Sequence, residues 1–430
     1  MSFSGFSRLR RILLYLKVFV LLVCIFLGFS LLSVLIPNEP VRKNIESSIK
    51  DVINQPDYPD LIIKGDHHRL DYAMDGQISN IIYTIDNQEP LKSALLGRCR
   101  MEDGPYTSQW KHLSYNISHN NLKPNVNYAR YWHGNSFFFR IFYSFTNFNE
   151  IKWLIFFITS VLMAAFAMLL YRETGGLNAM AMLAGLFFVN VYIMQFSMQM
   201  SPVLIISIIA GFFLISRMKR KKGNIGLLFF ITGAVTNYFD LLTAPLLTLG
   251  FPMLIWVSMN KEEGNLKKDV ISGIQQLVGF GLLWSTGYLG AWVFKVLITI
   301  PFADFDIFAD VKNQFLLRSG SEGINRMSAI EANFNFLPLV FMNLILITLL
   351  IFSILYFKKK GITKAILYLA VAFVPYIWFY VTANHSYLHN WFTYRIQAIA
   401  ISGVFLAFIS LIDWERFSER KSRILKFRNN

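Results

Sequence analysis

Long apolar segments constrain the fold of this chain more than any other feature. The 430-residue sequence is 54% hydrophobic and only 16% charged, whereas a soluble domain is about 25% charged. A helix needs about 20 predominantly apolar residues to cross the hydrocarbon of a bilayer. The sequence therefore predicts an all-α fold, a polytopic transmembrane helical bundle.

Hydropathy predicts about ten membrane spans in this bundle. They are Leu13–Ile36, Ile151–Tyr171, Leu177–Phe196, Pro202–Ser216, Ile225–Phe239, Pro245–Met259, Val270–Ile300, Phe336–Phe357, Ala365–Val381 and Phe392–Ile412. The predicted regions are a cytoplasmic N-terminus with the first span (1–36), a large extracytoplasmic loop region (37–150), a bundle of about nine helices (151–412) and a basic cytoplasmic tail (413–430).

The basic residues support one topology. The formal net charge is +15, and clusters such as Arg217–Lys222 and Lys358–Lys360 fall in short connections between spans. Short positive loops stay in the cytoplasm, so we expect both termini inside (N-in/C-in) and no nucleic acid as a partner. All seven histidines then fall in outer segments, which predicts ligand binding or chemistry at the extracytoplasmic face.

The first candidate cluster is the segment Asp66–Gly76 of the outer loop region. Asp71 and Asp75 are four residues apart and share one face if this segment is helical. Either carboxylate can act as a general base on a sugar hydroxyl, or help to hold a divalent metal. The alternative is a solvated loop in which these aspartates cap helices.

The second candidate cluster is Arg130–Gly134, which precedes a phenylalanine-rich stretch. Trp132 offers a face on which a sugar ring can stack, and Arg130 can hold a phosphate by paired hydrogen bonds. We group His133 with these donor-binding residues. Aromatic residues with arginine also suit the headgroup level, so an interfacial helix is the alternative for the phenylalanines.

Further polar residues lie near membrane depth. Asp240 is either a functional residue, as ionisable groups there often are, or a helix cap. His385 and His389 share one helical face. Arg395 enters the last span and needs an anion, a carbonyl or water, and we expect a lipid phosphate or Asp240 as its partner. We favour a phosphate or pyrophosphate clamp over a metal site, with interfacial histidines and a snorkelling arginine as the alternative.

The sequence contains no Walker-type phosphate loop, no Cys-x-x-Cys pair and no nucleophile elbow. An enzyme of this kind therefore needs a pre-activated donor carried in the membrane. The layout resembles that of the GT-C superfamily of integral-membrane glycosyltransferases, which combine many spans with a large, acidic first outer loop and use polyprenyl-phosphate or pyrophosphate donors. Segments that also resemble poorly characterised bacterial membrane proteins linked with surface polysaccharide are Leu70–Asp75, Ala129–Gly134, Tyr238–Thr243 and Asn384–Tyr387.

This resemblance implies a glycosyltransferase of the bacterial cytoplasmic membrane that acts at the extracytoplasmic face, with Asp71 or Asp75 as the base. We expect a lipid-linked sugar donor, a glycan or polymer acceptor and membrane lipids as partners. The sequence demands no cofactor, although a divalent metal is compatible with its acidic residues. One alternative is a non-catalytic subunit of a polysaccharide-assembly complex. The other is a transporter or flippase of a lipid-linked saccharide, whose path would contain Gln275, Gln276, Ser285, Thr286 and Lys295.

Overall fold

The computed structural model describes residues 3–101, 108–120, 123–221, 223–320 and 324–420. Helices dominate this part of the chain, so the all-α prediction is confirmed. The helices of the first half are α1 (Phe3–Val34), α2 (Asn38–Val52), α3 (Tyr72–Tyr83), α4 (Pro90–Leu96), α5 (Gln109–Ser118), α6 (Gly134–Tyr143), α7 (Phe148–Thr174), α8 (Gly176–Phe188) and α9 (Ser201–Arg220). One small antiparallel sheet pairs β1 (Arg98–Cys99) with β2 (Val126–Asn127).

The remaining helices follow in the second half of the chain. They are α10 (Ile225–Phe239), α11 (Leu247–Met259), α12 (Leu266–Thr299), α13 (Ile307–Ser319), α14 (Arg326–Phe334), α15 (Leu339–Leu355), α16 (Ile362–Ala372), α17 (Val374–Val381), α18 (Ala383–Leu388), α19 (Asn390–Thr393) and α20 (Ala398–Ser410). Short 3-10 turns join several of them, including Asp66–His68 before α3 and Tyr394–Gln397 before α20.

Six helical segments of the described chain are long and apolar enough to cross a membrane. They are Leu9–Val34, Phe148–Thr174, Ser201–Arg220, Leu266–Phe302, Lys359–Val381 and Asn390–Ser410. The pair α14 and α15 adds a seventh if it forms one span, although the two helices meet at a bend of 85°. The apolar helices α8, α10 and α11 are shorter. Every predicted span thus coincides with an apolar helix, while the count of about ten crossings stays a prediction.

Asparagine side chains set the start of several long helices. The side chain of Asn147 accepts the backbone N–H of Glu150 at 3.1 Å, and Asn224 accepts that of Leu227 at 3.2 Å. Asn265 caps α12 in the same way. Because these bonds satisfy N–H groups that have no partner inside the helix, they fix where α7, α10 and α12 begin.

Close glycine contacts lock α10 against α12. A Cβ atom on Gly233 would lie 2.0 Å from the carbonyl oxygen of Trp284, and one on Gly287 would lie 2.0 Å from that of Phe230. Small residues allow such close backbone approach between membrane helices. The packing therefore fixes the middle of α10 against the middle of α12.

The bundle has two distinct ends. Helix α1 runs parallel to α10, since Asn224 Nδ2 donates to Tyr15 Oη at 3.1 Å near one end and the hydroxyls of Ser30 and Tyr238 lie 2.8 Å apart near the other. The end that contains Ser30 and Tyr238 is called the loop end, because helices α2 to α6 pack there. The end that contains Tyr15 and Asn224 is called the basic end, because Arg217–Lys221 and Lys358–Lys360 lie there.

The buried side chain of Arg140 ties the loop region to the bundle. Its guanidinium donates to the carbonyl oxygens of Ser33 at 3.0 Å, Ile82 at 3.1 Å and Ile36 at 2.7 Å, and to Asn38 Oδ1 at 2.6 Å. These acceptors come from the end of α1, the start of α2 and the end of α3. The cation satisfies helix-terminal carbonyls that would otherwise lack donors, and so holds α3 in place over the bundle.

Candidate functional site

The structure brings most of the predicted site residues together in two clusters at the loop end. The Asp71 cluster contains Asp71, Asp75 and Arg395, together with Asp57 and His67. The Arg318 cluster contains Arg130, Asp240, His385 and His389, together with Arg318. Trp132 and His133 belong to the packed interior beside the second cluster.

Asp71 is the N-cap of α3 and is fully buried. Its Oδ1 accepts the backbone N–H of Met74 at 3.0 Å, so the helix-capping alternative is confirmed for this residue. Burial raises the pKa of Asp71 to about 7; the Met74 hydrogen bond and the Arg395 charge oppose the shift, and nearby Asp57 adds to it. A carboxyl group that titrates near neutral pH can exchange a proton under physiological conditions.

Asp75 lies one turn further along α3, as the four-residue spacing predicted. Its Oδ1 accepts the backbone N–H of Met198 at 3.1 Å. Burial raises the pKa of Asp75 well above its usual value, the neighbouring Asp71 raises it further, and Lys152 of α7 opposes the shift. The environment of Asp75 therefore favours its protonated form, and Asp71 titrates near neutral pH.

The guanidinium of Arg395 is buried among backbone carbonyls and aromatic rings. It donates to the carbonyl oxygens of Trp391 at 2.9 Å and His67 at 3.2 Å, and its charge centre lies 4.9 Å from the centre of the Tyr394 ring. The acid whose charge acts on it is Asp71. The sequence predicted Asp240 as the protein partner of Arg395. This prediction is wrong, because backbone carbonyls supply the contacts.

Several buried polar atoms of the Asp71 cluster have no hydrogen-bond partner in the described part of the chain. They are Asp57 Oδ1, His67 Nδ1, Asp75 Oδ2 and Arg395 Nε. An unsatisfied buried donor or acceptor costs about 1–3 kcal/mol, and most buried polar groups are therefore paired. Donors and acceptors that stay open in one cluster are the groups that a polar ligand would satisfy.

The Arg318 cluster is held together by arginine–aromatic contacts. Arg130 pairs with Asp310 at 3.4 Å and lies 4.0 Å from the centre of the Tyr128 ring. Arg318, from α13, lies 5.8 Å from the centre of the Tyr131 ring. Sequence analysis missed Arg318, because nothing in its local sequence distinguishes it from the other charged residues of the 301–335 connection.

Asp240 and His385 hold the turn between α10 and α11. Asp240 Oδ2 accepts the N–H of Leu242 at 3.0 Å, and Oδ1 accepts both the N–H of Thr243 at 3.0 Å and its hydroxyl. His385 Nε2 donates to the carbonyl oxygen of Leu242 at 2.9 Å. Leu242 itself has a φ of 67°, a strained conformation for a branched side chain. The hydrogen bonds of Asp240 and His385 therefore stabilise the backbone of this turn.

The titration of these groups agrees with that structural role. Burial raises the pKa of Asp240 to about 6, against the hydrogen bonds from Thr243 and Leu242. Burial lowers the pKa of His385 to about 3, and the neighbouring His389 and Arg318 lower it further. Burial also lowers the pKa of His389. Both histidines are neutral at pH 7, so neither supplies the positive charge of the predicted phosphate clamp.

Trp132 is a packing residue, and its predicted contact with a sugar is wrong. The side chain is 1% exposed, its ring packs against Phe26 and Tyr238, and its Nε1 donates to the carbonyl oxygen of Ala291 at 2.9 Å. A tryptophan ring with so little exposed surface offers no face on which a sugar can stack.

His133 is also structural. It takes a φ of 59° immediately before α6, and its Nε2 donates to the carbonyl oxygen of Tyr128 at 2.7 Å. Burial lowers its pKa to about 3, so the ring is neutral at pH 7. A Cβ atom on Gly97 would lie 2.4 Å from His133 Nε2, which explains the glycine there. The predicted contact of His133 with a donor phosphate therefore finds no support in this geometry.

The described residues contain no group of three or more His, Cys, Asp or Glu side chains that could hold a metal ion. The divalent metal that the sequence left open thus has no ligand set in this part of the chain.

A lateral groove of about 390 Å³ lies between α6, α7, α9 and α10. Its lining is mainly phenylalanine and isoleucine, with Ser201 and Thr232 as the polar exceptions. Ser201 begins α9, three residues after Met198, whose N–H binds Asp75. The groove therefore reaches the loop end of the bundle close to the Asp71 cluster.

Comparison with known proteins gives no assignment: no family model, no curated protein and no solved structure matches this chain.

Proposed function

We propose that this chain is a membrane glycosyltransferase that takes a sugar from a polyprenyl-phosphate-linked donor at the extracytoplasmic face, in the synthesis of a cell-surface polysaccharide or glycoconjugate. The observation that carries the proposal is the Asp71 cluster. There a buried carboxyl group with a pKa of about 7 lies within electrostatic reach of the buried Arg395 guanidinium, next to polar atoms that no described residue satisfies.

Asp71 is the proposed general base. Its carboxylate takes the proton of an acceptor hydroxyl as the hydroxyl oxygen forms a bond to the anomeric carbon of the donor sugar. The bond between that carbon and the phosphate oxygen breaks, and the lipid phosphate leaves with the electron pair. A base whose pKa lies near the working pH is best matched to this step.

Arg395 is the proposed partner of the departing phosphate. Its Nε is buried and open, and a charge-assisted bond from guanidinium to phosphate is among the strongest available to a side chain. In a site closed to water such a bond stabilises developing negative charge far more than it would in solution. Burial favours the protonated form of Asp75, and in that form Asp75 would donate a hydrogen bond from Oδ2 to a ligand oxygen.

The lateral groove supports a donor that is carried by a lipid. A prenyl chain needs an apolar channel open to the hydrocarbon, and the groove beside Ser201 provides one that ends near Asp75. The proposal includes about ten spans with both termini inside, in a bacterial cytoplasmic membrane. In support, the basic clusters lie at the end opposite to the Asp71 cluster, which is the arrangement that the positive-inside rule requires.

The transporter alternative receives less support. Gln275 and Gln276 lie on an exposed face of α12, where they do not line a path through the bundle. Lys295 is buried, and its ammonium donates to the carbonyl oxygen of Leu95 and to the Thr299 hydroxyl. The ammonium group of Lys295 therefore holds α12 against α4 through its hydrogen bonds.

The test is transfer by purified protein in proteoliposomes, with candidate polyprenyl-phosphate sugars and acceptor glycans. A general base contributes about 10²–10⁴-fold to rate, so Asp71→Asn should reduce turnover at least about 100-fold. Asn keeps the acceptor that caps α3, so the variant should fold. Asp75→Asn, which keeps the shape of the side chain and replaces the acidic O–H donor with an amide N–H donor on the same helix face, is the matched control and should cost less than about tenfold.

Two results would contradict the proposal. Unchanged turnover in both variants would remove the Asp71 cluster from the mechanism. Movement of an intact lipid-linked sugar across the bilayer, with no new glycosidic bond, would favour the transporter alternative.

A further inference from the structure

A polar cavity of about 510 Å³ lies at the basic end of the bundle, opposite the Asp71 cluster and the Arg318 cluster. It forms where the start of α8, the connection after α11, the start of α16 and the end of α20 meet. Its charged lining residues are Lys358, Lys360, Lys364 and Glu262. Three ammonium groups therefore face one carboxylate, and the lining carries an excess of positive charge.

Lys364 is fixed in this cavity by hydrogen bonds. Its Nζ donates to the carbonyl oxygen of Ser258 at 3.0 Å, and Tyr368 Oη donates to Ser258 Oγ at 2.9 Å. An ammonium group has three donors, so Lys364 has further donors for an anion. The backbone N–H of Lys358 donates to the carbonyl oxygen of Leu411 at 2.8 Å, which fixes the start of the lysine segment to the end of α20.

The start of α8 also borders the cavity, and the N–H of its first flanking residue, Gly175, donates to the carbonyl oxygen of Tyr171. Gly175, Gly176 and Asn178 line the cavity, and no side chain caps this end of the helix. The first N–H groups of a helix have no partner within the helix, and the helix dipole favours negative charge there. Gly175 has a φ of 89°, a conformation suited to glycine, so no side chain obstructs the approach.

We infer that this basic cavity binds the phosphate of an anionic lipid headgroup. Lysine ammonium groups and helix N–H donors both stabilise a phosphodiester, and basic pockets between membrane helices are known sites for such headgroups. Trp414 also lines the cavity, and tryptophan is enriched at the headgroup level. Inorganic phosphate offers similar chemistry from solution, and the experiment separates the two sources. The inference is independent of glycosyl transfer, which is proposed for the other end.

The experiment titrates the purified full chain with phosphatidylglycerol in detergent and follows bound lipid by native mass spectrometry. The test variant is Lys358→Gln/Lys360→Gln. The matched control is Lys267→Gln/Lys359→Gln, which removes the same charge from exposed lysines at the same end that do not line the cavity. Each basic residue near an anionic lipid contributes about 1 kcal/mol, so the test variant should bind about 30-fold more weakly. The control should stay within about threefold of the parent protein.

Parallel titrations use phosphatidylcholine and inorganic phosphate. Selective binding of phosphatidylglycerol that the test variant loses and the control retains supports the inference. Equal weakening in both variants would overturn it in favour of a general attraction to basic loops. Binding of inorganic phosphate alone, with the same dependence on Lys358 and Lys360, would overturn the lipid as the source.

Discussion

The Asp71 cluster and the Arg318 cluster contain the same kinds of residue at the same end of the bundle, and they use them differently. In the Arg318 cluster, Asp240 and His385 direct their polar atoms to the backbone around Leu242, and Arg130 pairs with Asp310. In the Asp71 cluster, Asp75 Oδ2, His67 Nδ1 and Arg395 Nε are buried without a partner among the described residues.

This difference separates a polar group that builds the fold from one that is free to bind a ligand. Burial and residue type are alike in the two clusters, so neither identifies the site. What differs is how much hydrogen-bonding capacity is open: among the described residues four buried polar atoms of the Asp71 cluster have no partner, against Arg130 Nε in the Arg318 cluster. An open buried polar atom destabilises the fold, and a ligand, a reaction or an ordered water compensates for that cost.

The largest effect should come from replacing Arg395 of the Asp71 cluster, with the replacement of Arg318 as the comparison. Arg395→Met should reduce transfer by about 100–1,000-fold, the usual effect of removing a donor that stabilises developing negative charge. Arg318→Met, which removes the same charge from a half-buried residue of α13, should cost less than about tenfold. The measurement is single-turnover transfer in proteoliposomes for both variants.

Folding has to be compared before these rates are interpreted. Both variants should elute as monodisperse protein in detergent with similar helical circular dichroism. If Arg318→Met lost as much activity as Arg395→Met while both were folded, the functional site would include the second cluster and the distinction drawn between them would be wrong.

The pH dependence of transfer should report Asp71. Its pKa of about 7 means that the base is protonated, and inactive, at lower pH. The rate should therefore rise about tenfold for each pH unit below pH 7 and level off above it, because only the carboxylate form can accept the proton. Asp71→Asn should remove this rising limb, and Asp240→Asn should retain it.

The same pKa fixes the sign of a stability effect. The ordinary pKa of an aspartate is 3.8, and that of Asp71 in the folded protein is about 7. Between these two pH values the folded state binds a proton that the unfolded chain has released. The free energy of unfolding should therefore fall as the pH rises through this window. Asp71→Asn should weaken this dependence on pH. An unchanged pH profile of unfolding in that variant would assign the titration to another group.

The amino-acid sequence predicts the helices well because their cause is local. Each predicted span coincides with an apolar helix, since hydropathy and length alone decide that such a segment is helical. The bend of 85° between α14 and α15 was not predicted. The end of α14 is held there by a hydrogen bond from Asn333 Nδ2 to the carbonyl oxygen of Ser386 at 2.7 Å, a contact between segments far apart in the chain.

The candidate site was only partly accessible to sequence reasoning. The spacing of Asp71 and Asp75 placed them on one helix, and the depth of Arg395 marked it as needing a partner. Trp132 and His133 occur in an equally suggestive motif and turned out to be packed. The difference lies in the tertiary neighbours, Phe26 and Tyr238 for Trp132, and no local pattern encodes them.

The smallest effect should be on stability, and it tests the comparison from the opposite side. Asp240→Ala removes the acceptors for the N–H groups of Leu242 and Thr243, so it should destabilise the fold by about 1–2 kcal/mol. Asp71→Asn should not destabilise the fold above pH 7, because Asn caps a helix as well as Asp and removes a buried charge. Urea unfolding in detergent, followed by circular dichroism at pH 8, measures both. A larger loss in Asp71→Asn than in Asp240→Ala would mean that Asp71 stabilises the fold, and a functional explanation for its burial would no longer be needed.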